Sequence, residues 1–85
     1  MRLPSQELDL HSLTVDEAIS KLENYLDGAF RAGLRRVWIV HGKGTGILRR
    51  EIRRFLEGHP LVKSYHPADR WHGGDGVTEV TLSDW

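Results

Sequence analysis

Asp9 and His11 stand two residues apart in Leu8-Asp9-Leu10-His11, and the segment His41-Gly42-Lys43-Gly44-Thr45-Gly46 follows later in the chain. Alternation places Asp9 and His11 on one face of a short strand. There the carboxylate can orient or charge the imidazole, or the two can hold an ion or a water. An imidazole beside a carboxylate suits general acid or base work near neutral pH. The glycine-rich segment offers bare backbone amides, the Lys43 charge, the Thr45 hydroxyl and the positive end of a following helix, which together form a natural phosphate site. Two histidines, a carboxylate and an anion cradle point to phosphodiester chemistry. The loop lacks the four-residue spacer and the Gly-Lys-Ser/Thr ending of a Walker A motif, so nucleotide hydrolysis is not expected. Each motif alone also has a plainer explanation, a solvent-facing ion pair for Asp9 and His11 and a tight strand-to-helix turn for the loop.

The elements that must position these residues are legible from periodicity. Residues 7 to 11 alternate polar and apolar and predict a first strand with Leu8 and Leu10 facing the core. Thr14 and Glu17 fit a capping box that opens a helix, along which Val15, Ala18, Ile19, Leu22, Leu26, Ala29 and Phe30 form one apolar stripe up to Gly33. Arg36 to Val40 predicts a second strand, parallel to the first through a right-handed crossover. A second amphipathic helix carries Ile47, Leu48, Ile52, Phe55 and Leu56 on one side and Arg49, Arg50, Arg53 and Arg54 on the other, and ends at Gly58 and Pro60. Leu61 to Tyr65 and Val77 to Leu82 complete a βαβαββ order around a polar loop, 66 to 76. Parallel α/β strands present ligands beyond their carboxyl ends, so Asp9, His11, His41 and the glycine loop are expected to converge on one rim.

Composition narrows the class. The chain has 85 residues and no cysteine, which allows one small domain without a disulfide scaffold or thiolate zinc site and fits a reducing cytoplasm. No run reaches the roughly 20 apolar residues of a membrane span, so no membrane partner and a cytoplasmic location are expected. Residues 1 to 6 read as a linker or tail and 7 to 85 as the domain. Formal net charge is zero, yet Arg31, Arg35, Arg36, Lys43, Arg49, Arg50, Arg53 and Arg54 face Glu51 alone between residues 31 and 54. A local basic face of this kind suits nucleic acid despite the neutral total. In the polar loop, Trp71 is placed either to stack on a base or to pack against the sheet. His66 and His72 flank a loop that could close over the rim, His59 reads as incidental, and Trp85 as a frayed end.

Taken together, Leu8-Asp9-Leu10-His11, His41-Gly42-Lys43-Gly44-Thr45-Gly46 and Gly73-Gly74-Asp75-Gly76-Val77-Thr78 resemble the Smr (small MutS-related) domain family, from residue 7 to 82. In that family the first motif usually ends in glycine, where this chain has Ser12. The resemblance implies an α/β, single-domain βαβαββ two-layer sandwich similar to the C-terminal domain of translation initiation factor 3, often carried by a MutS paralogue. It implies nicking endonuclease activity on DNA, including suppression of recombination, and in other members RNA cleavage at collided ribosomes. Carried onto this chain, it makes Asp9 and His11 the catalytic candidates and His41, Gly42, Lys43 and Gly44 the phosphate-binding or assisting group.

The leading expectation is a DNA-nicking endonuclease domain of low sequence specificity. Asp9, His11 and His41 are its catalytic candidates, and Gly42, Lys43, Gly44, Thr45, Gly46, Arg49, Arg50 and Arg53 bind the backbone. DNA hydrolysis needs an external water and more often an Mg or Mn ion, whereas RNA supplies its own 2′-hydroxyl and requires no cofactor. The competing class is a non-catalytic nucleic-acid or ribosome-docking module; a small-molecule phosphate enzyme is a third. The domain is expected to belong to a larger chain that dimerises elsewhere.

Overall fold

A computed structural model describes residues 5 to 84; Trp85 and the first four residues of the expected tail lie outside the described residues. The chain runs β1 (Glu7–Asp9), α1 (Val15–Arg31), β2 (Arg36–Val40), α2 (Ile47–Leu56), β3 (Val62–Pro67) and β4 (Val77–Leu82), with two 3-10 turns, Arg70–His72 and Gly74–Gly76, before β4. The βαβαββ order is as expected. β1 is shorter than the alternation suggested: it ends at Asp9, although Leu10 N–H still donates to Val40 O at 2.7 Å. β3 starts one residue later and extends to Pro67, and the 66–76 loop contains both 3-10 turns.

The four strands form one sheet in the order β1-β2-β4-β3. β1 runs parallel to β2 with Asp9 opposite Val40, while β4 is antiparallel to both β2 and β3. Both helices cover one sheet face. Ala18, Leu22, Leu26 and Ala29 of α1 and Ile52 and Leu56 of α2 are buried with Val37, Ile39, Val80 and Leu82 of the strands. Alternation leaves Trp38 and Glu79, which pair in register, on the helix-free face. Ser5 and Gln6 are tied to the domain, since Trp38 N–H donates to Gln6 O at 2.8 Å and Tyr25 Oη–H donates to Ser5 O.

Local chemistry sets the helix ends. Thr14 Oγ1 accepts from Glu17 N–H at 3.2 Å while Glu17 Oε1 accepts from Thr14 N–H at 3.0 Å, the reciprocal capping box expected for α1. At the other end Gly33 turns at φ 80° and Leu34 N–H reaches Ala29 O at 3.0 Å. α2 begins differently. Its N-cap is Gly46 at φ 85°, with no side-chain cap, and of its first-turn amides Ile47 N–H makes only a long contact, 3.5 Å, with Thr45 Oγ1.

Candidate active site

Asp9 leaves β1 at the carboxyl end of the parallel pair, and its Oδ1 accepts from the His11 backbone N–H at 3.0 Å and from His11 Nδ1–H. Both side chains are more than half exposed. The hydrogen bond from the His11 ring is the main cause holding the Asp9 carboxyl below the usual carboxylate range. With Nδ1 committed to Asp9, Nε2 is the ring atom left to accept a proton.

The turn that presents His11 is strained. Ser12 sits at φ 72°, the only non-glycine residue with positive φ among the described residues. A Cβ in the left-handed region costs roughly 1–2 kcal/mol. Ser12→Gly is therefore expected to stabilise the domain by about 0.5–1 kcal/mol after the greater chain entropy of glycine is subtracted. Thermal melts of the two proteins measure this as a rise of a few degrees, and an unchanged or lower melting point would refute the strain.

The glycine loop lies directly against this turn. A Cβ on Gly42, at φ +77°, would stand 3.6 Å from His11 Cβ. The loop is held from below by the second 3-10 turn, where Gly76 O accepts both His41 N–H at 3.1 Å and Gly42 N–H at 3.0 Å. A Cβ on Gly76 would meet Gly42 Cα and Lys43 Cγ, each at 3.6 Å. Gly73-Gly74-Asp75-Gly76 is thus the floor of the loop.

His41 departs from its expected place on the open rim. It is only 4% exposed, and both ring nitrogens are engaged. Nδ1–H donates to Gly42 O at 2.9 Å, and Nε2 accepts from Thr78 Oγ1–H at 2.8 Å. Arg53 Nε–H in turn donates to Thr78 Oγ1 at 3.4 Å. The physical reason is that β4 inserts beside β2 and brings Thr78 of the core face up to the ring. His41 is a positioning residue for the loop backbone.

Burial, reinforced by the nearby Arg53 and Arg49 charges, pushes the His41 pKa below the ordinary histidine value, against the opposing pull of Gly42 O. The folded state therefore favours the neutral ring. The resulting stability is present above the ordinary histidine pKa and is lost as pH falls through the depressed folded value. NMR titration should give His41 a midpoint below that of a free histidine, and the melting temperature should decline with acidification across that range. A His41 midpoint at or above the ordinary value would contradict this.

Beyond His41 the loop becomes cationic and open. Gly42, Gly44 and Gly46 all have positive φ, and Thr45 Oγ1 makes only a long contact, 3.5 Å, with Ile47 N–H. Arg49 Nη2 lies over Gly46, 3.3 Å from where a Cβ would be. A cleft of about 380 Å³ is lined by Thr45, Gly46, Ile47, Arg49, Arg50 and Arg53. Arg53, expected on the exposed side of α2, is half-buried, and its Nη2 is buried without a hydrogen-bond partner among the described residues. Arg50 and Arg54 share Glu51, at 3.2 and 3.9 Å. A buried guanidinium nitrogen without an acceptor is costly, and it leaves Arg53 charged beside the cleft.

For a divalent ion the donors are few. Among the described residues no three His, Cys, Asp or Glu side chains gather to hold a metal. At the rim the Asp9 carboxylate is already engaged by His11.

The Smr domain family profile matches residues 8–83. The chain belongs to the Smr domain family. It is 53% identical over 79 residues to Endonuclease MutS2 of Pelotomaculum thermopropionicum and 55% identical over 76 residues to that of Thermomicrobium roseum, covering 93% and 89% of this chain. In each case the chain spans 10% of the relative's length. Among solved structures, the Smr domain of Thermus thermophilus MutS2 superposes with a TM-score of 0.90 at 42% identity, with 93% of this chain and 99% of that one covered. YdaL, a stand-alone small MutS-related protein from Escherichia coli, gives 0.88 at 32% identity over 98% of this chain and 69% of that one.

In this Smr domain the structure brings Asp9, His11, Gly42 and Lys43 into one surface and places Thr45, Gly46, Arg49, Arg50 and Arg53 around the cleft beside it. It removes His41 to the interior and leaves Gly44 exposed at the loop's tip. Thr78 and Gly76, which hold His41 and the loop amides, were not among the expected site residues. Their one signal was the Gly73 to Thr78 motif. His72 and His66 do not close over the rim: His72 stacks on Trp38, and His66 pairs with Glu79 at 3.2 Å. No helix among the described residues is long and apolar enough to cross a membrane.

Proposed function

We propose that this Smr domain is an endonuclease that nicks DNA with low sequence specificity. The observation that carries it is an imidazole oriented by a carboxylate beside a cationic loop: His11 is held by Asp9, and a Cβ added at Gly42 would lie 3.6 Å from His11 Cβ. A phosphodiester seated on the amides at the start of α2, with Lys43 and Arg49 beside it, has its negative charge countered where charge develops in the transition state. His11 Nε2 takes a proton from the attacking water as its oxygen bonds to phosphorus, Asp9 stabilises the imidazolium that results, and the P–O bond to one sugar oxygen breaks, that oxygen taking up a proton from the imidazolium or from solvent. Arg50 and Arg53 contribute cationic lining to the cleft. Contacts of this kind address the backbone and not base edges, which accounts for tolerance of sequence and extends to branched DNA.

RNA is the second substrate this geometry favours, because an imidazole held by a carboxylate is suited to activating a neighbouring 2′-hydroxyl. The share of the MutS2 relatives that the chain spans supports its working within a longer chain, where tethering to a dimeric partner would raise its effective concentration on nucleic acid. The experiment is cleavage of supercoiled plasmid and of a single-stranded RNA, each with and without chelator. Nicked plasmid establishes the DNA reading, and chelator-resistant RNA cleavage establishes the second. Binding without strand breaks under any condition would overturn both and leave a docking module.

A further inference from the structure

The segment between β3 and β4 is pinned at many points. Ala68 N–H donates to Val77 O at 3.0 Å, and Gly74 N–H to Asp69 O at 2.9 Å. Asp69 Oδ1 caps the first 3-10 turn, accepting from His72 N–H at 2.9 Å and from His72 Nδ1–H at 2.8 Å. The His72 ring then stacks on Trp38 of the helix-free sheet face, with centroids 5.3 Å apart and planes 15° from parallel. Between Arg70 and His72, this rigid turn holds Trp71 85% exposed. A mobile loop can fold an indole away from water, but one staked on both sides cannot. The only other large exposed apolar side chain among the described residues is Ile47, which lines the cleft at the start of α2.

The turn is continuous with the active site. Five residues after Trp71 comes Gly76, whose carbonyl holds the glycine loop. A fully extended chain of that length spans at most about 18 Å, which bounds the separation of the Trp71 and Gly76 Cα atoms. Charge says what kind of group the indole meets. Asp69 and Asp75 outweigh Arg70 and leave the segment without a net positive field, so it offers a flat apolar face and not phosphate attraction.

Resting on the nucleic-acid reading above, we infer that Trp71 is a stacking platform for an unpaired nucleobase next to the phosphate held at the glycine loop. Bases within a duplex are already stacked on both faces, so only one freed from pairing presents a face to the indole. The ligand class is therefore a single-stranded segment, a flap, a gap or a bulge. Trp71 gives the domain a preference for nucleic-acid structure that its backbone contacts do not supply.

The test measures binding of a single-stranded oligonucleotide and of a long blunt-ended duplex at several salt concentrations, using His11→Ala protein so that no strand is cut. Trp71→Ala is expected to weaken single-strand binding by roughly tenfold, within the range of about 1–3 kcal/mol per stacked base, with the duplex changed by about twofold at most. Trp71→Phe should retain most of the affinity. The salt slope should stay unchanged in Trp71→Ala and fall in Lys43→Ala, because stacking releases no counterions. Equal effects on both ligands, or none on the single strand, would overturn the platform and leave the endonuclease reading intact. Failure of the unsubstituted surface to bind either ligand even at low salt would overturn the nucleic-acid reading and the platform with it. Thermal melts of each variant confirm that the comparison is between folded proteins.

Discussion

His11→Ala is expected to reduce strand cleavage by roughly 10²- to 10⁴-fold, the span that removal of a positioned general base produces. The ring is more than half exposed and its partner Asp9 likewise, so neither contributes to the core and the variant should keep the wild-type circular dichroism and melting behaviour. Asp9→Asn is expected to cost about 10- to 100-fold, as for other partners that orient a functional histidine. The amide can preserve the hydrogen bond through its carbonyl oxygen but cannot supply the negative charge that stabilises an imidazolium. Asp9→Ala removes in addition the acceptor for the His11 backbone N–H and should fall closer to His11→Ala. The measurement is the rate of nicked-circle or RNA-product formation by the folded variants. Cleavage that survives His11→Ala at the wild-type rate would place the base elsewhere and remove the catalytic role of the pair.

Gly73→Ala should be among the most destabilising single substitutions outside the core. Gly73 has φ +110°, a conformation that side chains rarely adopt, and a Cβ there would lie 2.3 Å from Val77 Cγ2 and 3.2 Å from Val77 Cβ. Val77 cannot yield easily. It is buried, pairs with Val40, and its carbonyl accepts the Ala68 amide. Left-handed strain of roughly 1–2 kcal/mol and overpacking of about 1–3 kcal/mol give a cost of about 2–5 kcal/mol. For a domain of this size that corresponds to a melting-temperature drop on the order of 10–30 °C. Gly74 is the internal control: it has φ +54° with nothing within 4 Å of its Cβ position, so Gly74→Ala should cost only about 1 kcal/mol. Equal melting temperatures for the two variants would show that the Val77 contact is not decisive. Because Gly76 O holds the His41 and Gly42 amides, Gly73→Ala should also loosen the glycine loop and weaken nucleic-acid binding more than Gly74→Ala does.

Much of this domain was legible before folding, and the boundary of what was legible has a physical cause. The stripe from Val15 to Phe30, the Thr14–Glu17 box, the apolar run into His41 and the arginines of α2 report interactions within a few residues of each other. Local pattern was therefore enough for the two helices, the four strands and the contact of Asp9 with His11. The shortened β1 is a near miss of the same kind: alternation continues to His11, but the chain turns at Ser12 with positive φ, and a strand cannot continue into that turn.

What remained hidden depends on which distant segments become neighbours. His41 sits beside a glycine loop and reads as a rim residue, yet its ring is satisfied by Thr78, separated from it by 37 positions, because β4 lies between β2 and β3. The same insertion sets Trp38 opposite Glu79 on the helix-free face, where His72 stacks on it and the adjoining Trp71 is left in solvent. By itself, then, the sequence determined the elements, the family resemblance and the residue types available for phosphodiester chemistry, since periodicity, caps and short motifs are local. Only the tertiary structure decided which of those residues face solvent and which support them, because burial depends on strand order and on pairings between residues far apart in the chain.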